Sequence, residues 1–140
     1  MKKPSLRILH LGDELSWRGG ENQVRLLAQD LQQRQIPTFV AYPKQSRGIK
    51  EKRFPVLTLP LASRQPLDPR NVYQIIRFCR EHDIEILDAH SSRAAKLALL
   101  VKKFLPYLVV VVHRRVDNSI SMKPFPLNVY TSPLIDGFVA

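Results

Sequence analysis

Residues 7–31 read RILHLGDELSWRGGENQVRLLAQDL, and they contain the pattern from which the fold class follows. Residues 7–11, with Ile8, Leu9 and Leu11, predict a short strand that ends at Gly12. A polar loop with the pair Gly19-Gly20 comes next, and a helix is expected to begin near Glu21. The apolar residues of that helix recur on one face, at Val24, Leu27, Ala28 and Leu31. The stretch therefore predicts a strand, a loop and an amphipathic helix in direct succession.

The same alternation of strand and helix continues along the chain. Further strands are predicted at 38–42, 54–59, 84–89, 108–113 and 137–140. Helices are predicted from Pro69, which follows the capping residue Asp68, and from about Ser92 to Leu105. Strands that are apolar without alternation, and that are separated by amphipathic helices, indicate a parallel sheet covered on both faces. The predicted fold class is α/β: a Rossmann-like open, mostly parallel sheet with helices on both faces.

The composition excludes several classes of protein. Hydrophobic residues make up 44% and charged residues 24% of the 140 residues, which is typical of one globular domain. The single cysteine, Cys79, excludes an internal disulfide and suits a reducing cytoplasm. No apolar run approaches the roughly 20 residues of a membrane span. The net charge of +10 favours anionic partners, of which nucleic acid is the least favoured because no RNA-binding motif or aromatic platform occurs.

Polar clusters follow three of the predicted strands, at residues 12–21, 90–93 and 113–117. Ligands bind beyond the carboxyl ends of the strands in open parallel sheets, so we expect these clusters to line one site. Gly19 and Gly20 either admit a phosphate to the free N–H groups of the helix start or only reverse the chain. The glycine pattern is neither G-x-G-x-x-G nor a P-loop, which disfavours the usual dinucleotide site.

Individual side chains in these clusters have candidate roles beside plain structural ones. His113 can donate a hydrogen bond to a substrate oxygen or hold a proton, and it can equally bond to the backbone. Arg114 and Arg115 suit a phosphate or a carboxylate, or form a solvated basic loop. Asp117 suits a sugar hydroxyl or a neighbouring arginine. His90 is less specific than the others.

Two further histidines, His10 and His82, are assigned structural roles. Neither they nor the other histidines form a His, Cys and carboxylate set with metal-ligand spacing along the sequence. We therefore expect no metal site.

Several short segments, taken together, carry a resemblance. They occur in order and at suitable spacing, at residues 8–12, 18–23, 26–28, 84–91, 94–95, 97–98 and 109–113. Together they resemble the family 4 retaining glycosyltransferases of the GT-B fold. Residues 114–117 are similar to a subgroup that glycosylates bacterial cell-envelope lipids.

The resemblance implies a function and a set of roles. Residues 1–140 would be the N-terminal, acceptor-side domain, and the C-terminal nucleotide-sugar domain would be absent, so the chain alone is expected to be inactive. Gly19 and Gly20 would lie near the donor diphosphate or an acceptor phosphate, and His113 would touch the transferred sugar. The acceptor side would be shaped by His90, Arg114, Arg115 and Asp117. The expected partners are a nucleotide-sugar donor and a sugar or glycolipid acceptor, with no metal and no cofactor, in the cytoplasm or at the inner face of the membrane.

Two alternatives remain open at this stage. One is a non-catalytic α/β module that binds anions or an acidic membrane surface, to which the basic residues between 44 and 53 would contribute. The other is a nucleotide-dependent enzyme of another class, such as an epimerase, which would share the architecture.

Overall fold

The computed structural model describes residues 6–113 and 137–139, and its centre is a six-stranded sheet in the order β3-β2-β1-β4-β5-β6. Every neighbouring pair in this order is parallel. The strands are β1 (Ile8–Leu11), β2 (Thr38–Pro43), β3 (Thr58–Leu61), β4 (Ile86–Ala89), β5 (Val109–His113) and β6 (Gly137–Val139). The predicted Rossmann-like parallel sheet is confirmed.

Four helices connect the described strands. They are α1 (Gly19–Gln33), α2 (Arg47–Lys50), α3 (Pro69–Glu81) and α4 (Ser92–Phe104). The Asp68 carboxylate accepts the Arg70 backbone N–H at 2.9 Å, and the Ser91 hydroxyl oxygen accepts that of Ala94 at 3.1 Å. These bonds satisfy N–H groups that a helix start leaves without partners, so local sequence fixes where α3 and α4 begin.

The two faces of the sheet are buried by different helices. Leu9, Leu87 and Val110 point to the face that packs with α3 and α4 in the larger apolar cluster. Val40 and Tyr42 point to the opposite face, where they join residues of α1 in a second cluster. Burial on both faces explains why the strands are continuously apolar in the sequence.

The structure differs from the sequence prediction in the segment between β2 and α3. The strand predicted at 54–59 lies instead at Thr58–Leu61, and α2 was not predicted. Phe54 is buried, but it packs against the Tyr42 ring from a loop, with 5.1 Å between the ring centroids. Pro60 lies inside β3, where it is tolerated because β3 is an edge strand and pairs only with β2.

Helix α1 begins at Gly19, two residues before the predicted start at Glu21. Among the described residues, no helix has the length and apolar character needed to cross a bilayer.

Candidate functional site

A cleft of about 240 Å³ opens at the carboxyl edge of the sheet. It lies where β1, β2 and β4 end and α1 begins, because parallel strands bring all their carboxyl ends to one edge. We call it the edge cleft, and it is lined by Gly12, Asp13, Glu14, Arg18, Gly20, Glu21, Tyr42, His90 and Ser91.

Gly12 lets β1 end against the buried Tyr42 ring. A Cβ built on Gly12 would lie 2.1 Å from Cζ and 2.4 Å from the hydroxyl oxygen of Tyr42. No side chain fits there without displacing a ring that is 1% exposed. The glycine therefore sets the shape of the wall where β1 and β2 end.

The loop between β1 and α1 is held by contacts with three other segments. The Asp13 carboxylate lies 3.4 Å from Arg64 Nε and 3.3 Å from Arg93 Nη1. The backbone N–H of Arg47 donates to the Leu15 carbonyl oxygen at 2.8 Å. These contacts tie the loop to α2, to the β3–α3 connection and to α4, so the loop has a defined position above the sheet.

Carboxylates line the edge cleft near the start of α1. Glu21 Oε1 accepts the Arg18 backbone N–H at 3.1 Å, as the third residue of a helix commonly does. The Ser16 hydroxyl donates to Glu14 at 2.6 Å and holds the pKa of Glu14 below its ordinary value. Glu14 is therefore a charged acceptor at neutral pH, in a cleft that also contains the helix start.

Beside the edge cleft, three histidines surround one aspartate; we call His10, Asp88, His90 and His113 the histidine–aspartate cluster. His10 Nδ1 and His90 Nε2 lie 2.9 and 3.2 Å from Asp88 Oδ2. His113 Nε2 lies 2.7 Å from Asp88 Oδ1, and the His113 ring stacks on His90 with 4.2 Å between centroids. The edge cleft and the cluster share His90, so they form one continuous region.

Strand register brings this cluster together. His10 on β1 is the direct partner of Asp88 on the neighbouring strand β4, so both side chains point to the same face. Asp88 pairs with Val111 on β5, and His113 lies two residues further along the same face. Three adjacent parallel strands therefore each contribute a polar side chain to one spot.

Burial and hydrogen bonding act in opposite directions in this cluster. Burial alone would raise the pKa of Asp88, but the contacts from His10, His113 and His90 outweigh it and hold the pKa below its ordinary value. Burial lowers the pKa of His90 to about 4, although the nearby Asp88 carboxylate opposes the shift. His90 is therefore neutral and Asp88 charged at neutral pH.

The residues predicted from the sequence can now be located. Gly20 and His90 line the edge cleft, and His113 at the end of β5 contacts both Asp88 and His90. Gly19 is the exposed first residue of α1. The structure thus brings the glycine pair and the strand-end histidines to one edge of the sheet. The remaining candidates, Arg114, Arg115 and Asp117, lie outside the described residues.

The sequence interpretation did not single out Asp88, and it assigned His10 to structure. The complete burial of His10 and its contact with Thr38 Oγ1 at 3.0 Å fit that assignment. The interpretation also found no metal-ligand spacing, yet His10, Asp88 and His90 form a group that could hold a metal ion. The strand order was the missing signal, because a sheet with β1 beside β4 places residues 10 and 88 side by side.

Two solved structures are similar to this chain in fold. A glycosyltransferase from Rickettsia africae ESF-5 is 17% identical, with a TM-score of 0.71 over 94% of this chain and 35% of that chain. MurG from Acinetobacter baumannii is 11% identical, with a TM-score of 0.58 over 89% of this chain and 38% of that chain. The chain thus spans little more than a third of the length of either protein. No curated protein matches the chain.

The family comparison gives the same answer as the resemblance noted in the sequence. The family model described as Glycosyltransferase Family 4 matches residues 17–137, which is most of the chain. That range includes the start of α1, the histidine–aspartate cluster except His10, and the carboxyl ends of β2, β4 and β5. The chain therefore belongs to glycosyltransferase family 4.

Proposed function

We propose that this chain is the acceptor-side domain of a retaining glycosyltransferase that moves a sugar from a nucleotide-sugar donor to an acceptor hydroxyl. The observation that carries the proposal is the convergence of Gly20, His90 and His113 at one edge of the sheet. In the reaction, the bond between the sugar C1 and the donor phosphate oxygen breaks, and the electron pair leaves with the diphosphate. The acceptor oxygen forms the new bond to C1 on the same face and loses its proton to the departing diphosphate.

The edge cleft offers two kinds of group to such ligands. Backbone N–H groups at the start of α1 attract a phosphate, and the space around Gly19 is open, with no atom within 4 Å of a Cβ built there. Glu14 and Glu21 are acceptors for sugar hydroxyl groups. We therefore propose that a phosphate approaches Gly19 and Gly20 while sugar hydroxyls face the carboxylates.

His113 is proposed to touch the transferred sugar, with Asp88 as its positioning residue. His113 Nε2 lies 2.7 Å from Asp88 Oδ1, which leaves Nδ1 as the ring nitrogen proposed to meet a sugar hydroxyl. Stacking on His90 restricts the same ring. An imidazole held in this way meets the transition state without having to be reoriented.

A second, donor-binding domain is proposed to complete the site. The similar glycosyltransferase structures are nearly three times as long as the part matched here, since the chain covers 35% and 38% of them. We infer that the chain alone transfers sugar poorly or not at all. His90, Arg114, Arg115 and Asp117 are proposed to contact the acceptor.

The acceptor is proposed to be a cell-envelope lipid or lipopolysaccharide precursor at the cytoplasmic face of the membrane. The net charge of +10 supports attraction to an anionic surface. Arg47 and Arg53 pair with Glu51 at 2.9 and 2.6 Å. The exposed lysines of the same segment are then the residues proposed to face the membrane: Lys44, Lys50 and Lys52.

The substitution Gly20→Trp tests the placement of the edge cleft. In an enzyme that contains this chain together with its donor domain, the indole would fill the cleft beside the start of α1 and abolish release of nucleoside diphosphate. Gln32→Trp, which adds the same bulk at an exposed position near the other end of α1, is the control and should retain activity. Unchanged turnover in a folded Gly20→Trp variant would contradict the proposed site.

A further inference from the structure

We propose that His10, Asp88 and His90 form a binding site for a divalent transition-metal ion of the Zn²⁺ class beside the edge cleft. The ligating atoms are His10 Nδ1, Asp88 Oδ2 and His90 Nε2. They form a nearly equilateral triangle, with sides of 2.9 Å from His10 to Asp88, 3.1 Å from His10 to His90 and 3.2 Å from His90 to Asp88.

The size of this triangle suits a tetrahedral ion. With bond lengths of about 2.0–2.1 Å, ideal tetrahedral ligands lie about 3.3–3.4 Å apart, so each side needs to lengthen by only a few tenths of an ångström. An ion at that bond length sits about 1 Å from the plane of the three atoms. Two imidazoles and one carboxylate oxygen are a donor set that Zn²⁺ accepts readily, and the fourth position is left for water or a ligand oxygen.

Hydrogen bonding alone explains the triangle less well. Both ring nitrogens approach the same carboxylate oxygen, and they also lie 3.1 Å from each other. If both ring nitrogens carry a hydrogen directed at Asp88 Oδ2, the two N–H groups crowd one another. If one nitrogen carries no hydrogen, its lone pair faces the negatively charged Asp88 oxygen, and that contact is repulsive. A cation between the three atoms uses all three lone pairs at once.

Residues around the triangle contact the atoms of His10 and Asp88 that would not bind the ion. His10 Nε2 lies 3.0 Å from Thr38 Oγ1, so the nitrogen that does not face the triangle has a partner that fixes the ring and its tautomer. The second oxygen of Asp88 lies 2.7 Å from His113 Nε2, which leaves Oδ2 to bind the ion as a single donor. His10 and Asp88 are thus already positioned by their neighbours.

Burial and access are also suitable. The side chains of His10, Asp88 and His90 are 1%, 9% and 4% exposed, so little water competes for the ion. His90 also lines the edge cleft, which gives an ion a route from solvent. Binding of the ion requires only residues of this chain and is separable from sugar transfer.

Metal titration of the purified, metal-free chain tests the proposal. Calorimetry with Zn²⁺ should give one site per chain, and Co²⁺ should produce the intense visible bands of four-coordinate cobalt. Asp88→Asn and His90→Asn should each weaken binding at least about 100-fold, and Thr38→Val, which removes only the hydroxyl that contacts His10 Nε2, about 10-fold or more. His82→Asn removes a histidine outside the cluster and is the matched control, with unchanged affinity.

A measurement on the unaltered chain keeps the test independent of how the variants fold. In histidine ring ¹⁵N spectra, one equivalent of Zn²⁺ should shift the resonances of His10 and His90 and leave those of His82 in place. Absence of a stoichiometric site in the wild-type chain would overturn the proposal. So would a folded Asp88→Asn variant that binds Zn²⁺ as tightly as the wild type.

Discussion

Gly12→Ala is expected to destabilise the protein through a single contact. The added methyl group would lie 2.1 Å from Cζ of Tyr42, whereas carbon atoms in contact normally lie about 3.5–4.0 Å apart. The Tyr42 ring has little freedom to move away, because it is 1% exposed and packs 5.1 Å from the Phe54 ring. Inserting atoms into such a packed site costs about 1–3 kcal/mol.

The backbone at Gly12 contributes no strain of its own, since its φ is not positive. Replacing glycine by alanine at a compatible position stabilises a protein by about 0.4–1 kcal/mol, because it lowers the conformational entropy of the unfolded chain. The net loss in the free energy of unfolding is therefore expected to be about 1–2 kcal/mol. Gly19→Ala is the matched control: nothing lies within 4 Å of its Cβ, and it should be neutral or slightly stabilising.

Urea unfolding followed by circular dichroism measures these differences. The double variant Gly12→Ala, Tyr42→Leu identifies the cause, because removing the ring removes the clash and makes the two substitutions non-additive by about 1 kcal/mol or more. A Gly12→Ala protein as stable as the wild type would refute the reasoning. So would a loss of stability that is fully additive with Tyr42→Leu.

Two further predictions concern charge. The hydrogen bond from Arg70 holds the pKa of Asp68 below its ordinary value, so the contribution of Asp68 to stability is complete above the unfolded pKa and is lost as the pH falls through the folded pKa. Asp68→Asn should flatten the acid side of the Tm-versus-pH curve, and an unchanged curve would contradict this. The chain should also sediment with acidic but not neutral liposomes in low salt, and replacing Lys44, Lys50 and Lys52 by Gln should weaken binding by about 1 kcal/mol per lysine. Equal sedimentation with both lipids would count against a membrane-facing surface.

Local patterns were sufficient for most of the fold. The apolar runs predicted the strands of the parallel sheet, and the apolar faces and capping residues predicted α1, α3 and α4, because periodicity and caps are properties of neighbouring residues. The region around β3 was mispredicted because Phe54 is apolar for a different reason: it fills space beside Tyr42 from a loop. In a short segment of sequence, an apolar residue of a strand cannot be distinguished from an apolar residue that is buried from a loop.

The site was predictable only in part, because it depends on strand order. The positions of Gly20, His90 and His113 follow from the rule that parallel strands end at one edge. The contact between His10 and Asp88 joins residues on two strands that are far apart in the sequence, and it depends on which strands are neighbours and on their register. Spacing along the chain carries neither kind of information, so the cluster became visible only in the folded structure.

The turnover number of a His113→Ala enzyme tests the central claim most directly. The measurement uses an enzyme that contains this chain together with its donor domain, with His82→Ala as a control for loss of a histidine elsewhere. Loss of the hydrogen bond that we propose His113 makes to the reacting sugar should lower kcat about 100-fold or more, while the urea midpoint changes little. A His113→Ala enzyme with the kcat of the wild type would contradict the account.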